Sequence, residues 1–122
     1  MSHIVQIETE IRDVAALTCA CWRLDLEPPV HKTAHLFSGE VSGHCVKLPG
    51  WHYPLVCDVE RGTLAFDIYE FCLGERAQLD RLLQAYAVEK TRIEASRAGH
   101  TVTETPLADG AIKLTITVGD AA

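Results

Sequence analysis

The sequence is poor in positive charge. It contains 11 lysines and arginines against 17 aspartates and glutamates, which gives a net charge of −6 at neutral pH. An acidic chain repels a phosphate backbone unless its basic residues are gathered on one face. Nucleic-acid binding is therefore disfavoured.

The sequence also lacks a long hydrophobic run. No apolar stretch approaches the roughly 20 residues that a membrane-spanning helix requires. The first ten residues, MSHIVQIETE, contain neither a basic segment nor a long apolar one. We therefore expect a cytoplasmic protein with no membrane contact.

Internal repeats, low-complexity tracts and linker-like stretches are absent. The chain has 122 residues, of which 48% are hydrophobic and 23% are charged, as in an ordinary globular protein. Nothing argues for dividing it, so we expect residues 1–122 to form a single domain.

A disulfide framework is not indicated by the cysteines. Their number is odd, and they lie in segments that read as helix or strand, which suits a reducing compartment. We expect free thiols that mostly fill the core, at Cys19, Cys21, Cys45, Cys57 and Cys72.

The first quarter of the chain predicts a strand followed by a helix. Residues 3–11 alternate apolar and polar, as in a strand with one wet face. Asp13 is placed to cap a helix whose apolar stripe is Val14, Leu17, Cys21 and Leu24. Pro28 and Pro29 prevent this helix from continuing, because proline has no backbone N–H to donate.

The middle third predicts an antiparallel meander. Short apolar runs at residues 34–37, 45–48, 55–59 and 63–67 are separated by Ser-Gly, Pro-Gly and Arg-Gly turn signals.

The last third predicts a long helix and two strands. Helical spacing runs over residues 75–98, and Gly99 follows as the terminating residue. Asp109 and Gly110 favour a tight turn before an alternating strand at residues 111–118, and Pro106 marks the preceding strand as an edge.

The predicted second helix is longer than the last strand, which suggests that part of the helix is not covered by the sheet. The helix would be about 36 Å long and the last strand about 26 Å, so we expect the C-terminal half of the helix to overhang the sheet. Val88 should project from the opposite face as an exposed valine beside Arg92, which makes both residues candidates for a partner or homodimer contact.

Together these elements predict an α+β fold. We expect an antiparallel sheet of about five to six strands with two helices packed on one face, related to a ferredoxin-like sandwich.

The best candidate site is the loop that reads LPGWHYP. Two prolines and a glycine stiffen it, and it displays Trp51, His52 and Tyr53, which are side chains suited to recognition. The alternative is a structural connection in which Trp51 and Tyr53 cap one end of the core. Asp67 and Tyr69 would lie near this loop if the meander folds back on it.

Six histidines and five cysteines raise the question of a metal or a reactive thiol. His31 and His35 would share a face only in a helix, whereas their segment reads as a strand, and His44 and Cys45 should point to opposite sides of a strand. The least unfavourable metal ligands are His35, His44, His52 and Cys57. Cys57 should face the core, and Cys72 should be the cysteine that meets solvent. We assign no catalytic residue, no metal and no cofactor.

The chain resembles a family of small uncharacterised bacterial proteins, related to a conserved hypothetical reading frame of cyanobacteria and red-algal plastids. The resemblance covers nearly the whole length and is carried by MSHIVQIETEIRD, LFSGE, KLPGWHYPLVCD, LDRLLQAYAVEK and TVTETPLADGAIKLTI. It implies a bacterial cytoplasmic protein often encoded near an AAA-class ATPase, a still smaller companion protein or a ferredoxin.

The segment after residue 66 departs from the family pattern. Family members tend to carry aspartate, asparagine, tyrosine, asparagine and glycine, followed by tryptophan and glycine. This chain reads DIYEFCLG and keeps only Asp67, Tyr69 and Gly74. The loss of the amides and the tryptophan either argues against a ligand role for this loop or marks a divergent member with a different partner.

The functional prediction is a non-enzymatic accessory or adaptor protein that binds another protein through the Trp51–Tyr53 loop and the second helix. The family resemblance suggests an AAA-class ATPase or a small companion protein as the partner. The alternative is a small ligand-binding or redox-linked enzyme with a pocket near Trp51, Asp67 and Tyr69.

Overall fold

The computed structural model describes residues 4–37, 39–67 and 73–119. In chain order the elements are β1 Ile4–Glu8, α1 Val14–Arg23, β2 Val30–Leu36, β3 Gly39–Val46, β4 Leu55–Asp58, β5 Thr63–Asp67, α2 Leu73–Arg97, β6 Thr101–Pro106 and β7 Ile112–Thr117. Neither of these helices is long and apolar enough to cross a membrane.

The main sheet has five antiparallel strands in the order β1-β5-β4-β3-β2. Strands β2 to β5 form the predicted meander, and β1 pairs with β5 at the far edge. Helix α1 therefore connects strands at opposite edges of the sheet. The predicted α+β class is confirmed.

The last two strands do not join this sheet. Among the described residues, β6 and β7 pair only with each other and form a separate hairpin. The element order is thus βαββββαββ, and the likeness to a ferredoxin-like βαββαβ sandwich stops at the α+β class.

One face of the sheet forms the main core with both helices. The register places Val46 opposite Leu55 and Cys57 opposite His44, so alternate residues of these strands face the helices. The buried residues of this cluster from the sheet and helices include Leu17, Ala20, Cys21, Val46, Leu55, Cys57, Leu64, Phe66, Leu79, Leu82 and Tyr86.

The other face of the sheet is also apolar, although no helix contributes to its cluster. Its buried residues are mostly small, namely Ala34, Leu36, Cys45, Val56 and Ala65. A Cβ at Gly39 of β3 would lie 3.6 Å from the side chain of Ile4 in β1, although β5 and β4 lie between these strands in the sheet order. The sheet is therefore curled, and this face is its concave interior.

Gly43 permits the close approach of β3 and β4. A Cβ at this position would lie 2.7 Å from the carbonyl oxygen of Cys57 and 2.9 Å from the side chain of Val56. Real Cβ atoms do not approach backbone oxygens so closely, so any side chain here would push the two strands apart.

Helix α1 begins and ends with defined caps. The carboxylate of Asp13 accepts hydrogen bonds from the amides of Ala15 and Ala16, as the sequence predicted. At the other end the amide of Leu26 donates to the carbonyl of Cys21, with Asp25 in the left-handed region at φ 58°. Val14 was expected in the buried stripe, but it is 38% exposed because it lies in the first turn, beyond the core.

The start of α1 is fixed by a buried residue of α2. The hydroxyl oxygen of Tyr86 accepts hydrogen bonds of 3.1 Å from the amides of both Arg12 and Asp13. Lys90, one turn further along α2, donates to Asp13 at 3.0 Å. This hydrogen bond from Lys90 is the main reason that the pKa of Asp13 lies below its ordinary value.

Helix α2 buries side chains on more than one face. It ends at Arg97, and Gly99 follows with φ 78°, close to the prediction of residues 75–98. Gln84, Val88 and Arg92 are spaced by four residues and share a face. Gln84 donates to the carbonyl of Gly110, and Arg92 donates to Glu104, so the hairpin covers this face.

The expected exposure of Val88 is therefore wrong. Val88 is only 3% exposed, because it lies between two residues that hold the hairpin against the helix. The helix half that was expected to overhang freely is covered on this side. The hairpin also seats against the helix end, where the amide of Gly119 donates to Nδ1 of His100.

A charged network fastens the hairpin to both helices. Arg23 of α1 binds both carboxylate oxygens of Glu104 in β6 at 2.8 and 2.7 Å, and its Nε donates to Glu89 of α2 at 2.8 Å. Arg92 adds a further bond of 2.8 Å to Glu104. The hydrogen bonds from Arg23 chiefly hold the pKa of Glu104 below its ordinary value.

We predict that Tyr86→Phe destabilises the protein by about 1–3 kcal/mol, because it leaves two amides at the start of α1 without their acceptor. Chemical denaturation measures this change in the free energy of unfolding. Tyr53→Phe is the matched control, and it should cost less. Equal stability of Tyr86→Phe and wild type would contradict the structural role of this hydroxyl.

We predict that Glu104→Gln loosens the hairpin more than the rest of the protein. The neutral amide cannot hold two guanidinium groups at once as a carboxylate does. Hydrogen–deuterium exchange should show faster exchange at β6 and β7, with little change in β3 to β5. Uniform acceleration across all strands would indicate that the network stabilises the whole fold instead.

Candidate functional site

The loop predicted as a site joins β3 to β4 and begins with a tight turn. The amide of Trp51 donates to the carbonyl of Leu48 at 3.1 Å, with Pro49 and Gly50 between them. Gly50 has φ 79°. Proline followed by a glycine of positive φ is the pattern of a type II turn, so the loop is stiff, as expected.

Both aromatic residues of the loop are anchored in the protein. Trp51 packs against the main core and meets the ring of Phe66 edge to face, with ring centroids 5.6 Å apart. Tyr53 packs against the cluster on the concave face. The loop thus bridges the two apolar clusters at one end of the sheet, and Trp51 and Tyr53 make the core contacts that the structural alternative expected.

The same residues also line an open cleft, which we call the basic cleft. Its volume is about 420 Å³. One wall is formed by Trp51, His52 and Tyr53, and the other by residues of β2 and β3. His52 is exposed and meets the ring of Tyr53 edge to face, with centroids 4.6 Å apart.

Positive side chains dominate the polar lining of the basic cleft. Lys32 and Lys47 line it together with His52, and Glu27 is the acidic residue among its lining residues. Lys47 lies 3.9 Å from Glu27, but both side chains are more than 70% exposed, so this ion pair is weak. The cleft is therefore a local basic region in an acidic chain.

The sequence analysis missed the two lysines of the cleft. Alternation along β2 and β3 places Val30, Lys32 and Cys45 on the concave face. The alternation of residues 30–36 could have shown that Lys32 shares a face with Val30. Only the pairing of β2 with β3 shows that this face lies beside the loop. The predicted strand at residues 34–37 was too short to show it.

Of the other predicted site residues, those that the structure describes do not line the cleft. Asp67 is 7% exposed and pairs with Ile4 of β1, away from the cleft lining. Val88 and Arg92 lie under and beside the hairpin. Tyr69 and Cys72 lie outside the described residues. Of the residues expected around a pocket, Trp51 therefore lines the basic cleft and Asp67 does not.

Polar pairs connect β2 and β3 on the face opposite the basic cleft. His31 and His44 have ring centroids 4.8 Å apart, and the hydroxyls of Thr33 and Ser42 are 2.7 Å apart. Near the turn that joins β2 to β3, His35 Nδ1 lies 3.1 Å from Glu40 Oε1. Within the part of the chain that the structure describes, no three His, Cys, Asp or Glu residues are arranged to hold a metal ion.

The four residues considered least unfavourable as metal ligands are dispersed. His52 lines the cleft, His44 lies on the opposite face, His35 lies at the far end of β2, and Cys57 is fully buried. Burial raises the pKa of the Cys21 thiol to about 11 and that of Cys57 to about 12. Both thiols are therefore protonated near neutral pH and are poor nucleophiles.

His44 carries a titration that affects stability. Partial burial is the main cause of its lowered pKa, and the neighbouring His31 adds to the effect. A shallow depression beside it is also lined by Asp58 and Glu60. Because the folded state binds this proton less readily than the unfolded state does, acid favours unfolding.

We predict that the free energy of unfolding is not reduced by His44 above pH 6.5, the ordinary pKa of histidine. As the pH falls below this value toward the lowered pKa of His44, the free energy of unfolding should decrease. His44→Gln should flatten this part of the profile. Denaturation midpoints between about pH 5 and pH 7.5 test this, with His35→Gln as the control. An unchanged slope in His44→Gln would contradict the assignment.

Comparison of the chain with protein-family models, with curated proteins and with solved structures gives no match.

Proposed function

We propose that this protein is a non-enzymatic adaptor, and that its basic cleft receives an acidic segment of a partner protein that also carries an aromatic or aliphatic side chain. The observation that carries this proposal is the juxtaposition of Lys32 and Lys47 with Trp51, His52 and Tyr53 around one cleft, in a chain of net charge −6.

The lining chemistry supports an acidic partner segment. Two ammonium groups and an imidazole can donate to carboxylates, whereas the rest of the acidic surface repels them. An acidic segment is therefore steered toward the cleft and away from other faces. This selectivity is a matter of local charge, since the net charge alone would disfavour the same partner.

The aromatic wall supports an apolar anchor in that segment. Trp51 and Tyr53 offer apolar surface that is half-buried and held in place by the two apolar clusters. Aromatic side chains of this kind dominate the energy of protein interfaces. The type II turn and the packing of both rings mean that little conformational entropy is lost on binding.

The partner class comes from the family resemblance. It suggests an AAA-class ATPase or a small companion protein, and in either case the cleft should recognise a short acidic segment rather than a large flat surface. We assign no catalytic residue to the cleft, because its described groups are accounted for as charge and apolar contacts.

The second candidate is a small-molecule binding protein. The cleft volume of about 420 Å³ lies in the range of small-ligand pockets. A small aromatic carboxylate would use the same lysines and the same aromatic wall. A small ligand would bind without neighbouring peptide residues, whereas a partner segment would need them. The two candidates can therefore be distinguished by comparing a small carboxylate with a peptide.

The fluorescence of Trp51 can test the proposal. The chain has two tryptophans, so Trp22→Phe leaves Trp51 as the sole reporter. We expect the emission of Trp51 to change on titration with a short peptide rich in glutamate and phenylalanine. The same peptide with glutamine in place of glutamate should bind much more weakly. Added salt should lower the affinity of the glutamate peptide, because salt screens the attraction between opposite charges.

Two matched variants locate the binding on the cleft. Lys32→Gln combined with Lys47→Gln should reduce peptide affinity by about tenfold, which corresponds to about 1.4 kcal/mol. Arg76→Gln, an exposed charge change outside the cleft, should leave affinity unchanged. Equal binding by all variants, or tighter binding of benzoate than of the peptide, would count against the adaptor function.

A further inference from the structure

The hairpin of β6 and β7 has an unpaired outer edge. In the described residues β7 pairs with β6 and with no other strand. Two-stranded hairpins are only marginally stable, and further strands or packing are needed to support them. Packing on α2 already supports this hairpin, and the edge of β7 can accept an additional strand.

Pro106 identifies which backbone groups point outward. It pairs with Ile112 and has no N–H, and the amide of the next residue, Leu107, donates to the carbonyl of Ala111 at 2.8 Å, so the bonded pair is the neighbouring one and the pair of Pro106 with Ile112 is non-bonded. Antiparallel pairs alternate between bonded and non-bonded. The pairs of Leu114 and Ile116 are therefore also non-bonded, and the N–H and C=O groups of Ile112, Leu114 and Ile116 point away from β6.

The edges of the described strands differ in their protection against pairing. The β6 edge contains Pro106, which interrupts a ladder, and β2 at the edge of the main sheet carries Lys32 with His31 and His35. Strand β7 contains neither proline nor acidic residues, and its single charge is Lys113. Its edge is thus the least protected of these three.

We propose that two copies of this chain associate by pairing β7 with β7 in antiparallel fashion, about a two-fold axis at Leu114. In this register Leu114 faces Leu114 of the second copy, and Ile112 faces its Ile116. Every outward backbone group of these three residues then finds a partner. The product is a four-stranded sheet with β6 at both edges.

The chemistry of the strand favours a second copy as the occupant. A two-fold axis at Lys113 would set like charges directly opposite, whereas the axis at Leu114 sets Lys113 opposite a neutral threonine, Thr115. The apolar row continues across the axis, and it includes Ile116, which is 48% exposed in the monomer. The strand contains no acidic residue, so two acidic chains can meet here with little repulsion.

The hairpin is held ready for this pairing. Glu104 is fixed by Arg23 and Arg92, Gln84 holds the turn at Gly110, and Gly119 binds His100. The strand is therefore presented in a fixed direction, and pairing requires little reorganisation of the monomer.

Charge changes at Thr115 test both the surface and the register. Thr115→Glu places a carboxylate opposite Lys113 of the second copy, twice per dimer, and should tighten the dimer by a factor of about 2 to 30. Thr115→Lys should weaken it by a similar factor. The same two changes at Thr103, the residue opposite Thr115 within the hairpin, are controls, because Thr103 is one strand further from the interface.

Sedimentation equilibrium from low micromolar to millimolar protein, with reducing agent present, measures the dimer constant. We expect wild type to dimerise and the two Thr115 variants to differ from it in opposite directions. A monomer at all concentrations would overturn the proposal and would leave the edge to a strand from another protein. Equal effects at Thr103 and Thr115 would also overturn it. The basic cleft is not involved, so this result is independent of peptide binding.

Discussion

The arrangement depends on α2, a helix that must be covered on two sides. Leu79, Leu82 and Tyr86 face α1 and the sheet, while Val88 is buried on another face. A single sheet covers only one stripe of a helix, so the chain supplies a second cover from its own C-terminal hairpin. The position of the hairpin follows from this need, and so does the Arg23–Glu104–Arg92 network, which joins α1, α2 and β6 at one point. Because the hairpin serves as a cover, it is not available to extend the main sheet.

The basic cleft arises from the curl of the main sheet. Small residues on the concave face and Gly43 at the crossing of β3 and β4 let the strands bend toward each other. The loop between β3 and β4 then closes one end of the curled sheet, with Trp51 against the main core and Tyr53 against the concave cluster. The same side chains pack and line: their buried edges stiffen the loop, and their open edges line the cleft.

Charge works locally in this protein. The overall balance is acidic, yet Lys32, Lys47 and His52 meet at the cleft, and two arginines converge on one glutamate at the hairpin. The sequence analysis predicted a stiff loop carrying Trp51, His52 and Tyr53, since turn residues and large side chains are local signals. It could not find the lysines or dismiss Asp67, because their distance from the loop is set by strand pairing.

The sequence by itself determined the elements: the Asp13 cap, the meander, the end of α2 at Gly99, the burial of Cys57 and the α+β class. Each of these depends on periodicity, capping or turn chemistry within a few residues. Only the tertiary structure decided that β6 and β7 leave the sheet, that Val88 is buried, and that the cleft lies beside β2. Those outcomes depend on which apolar faces meet, and periodicity shows that a face is apolar without showing what covers it.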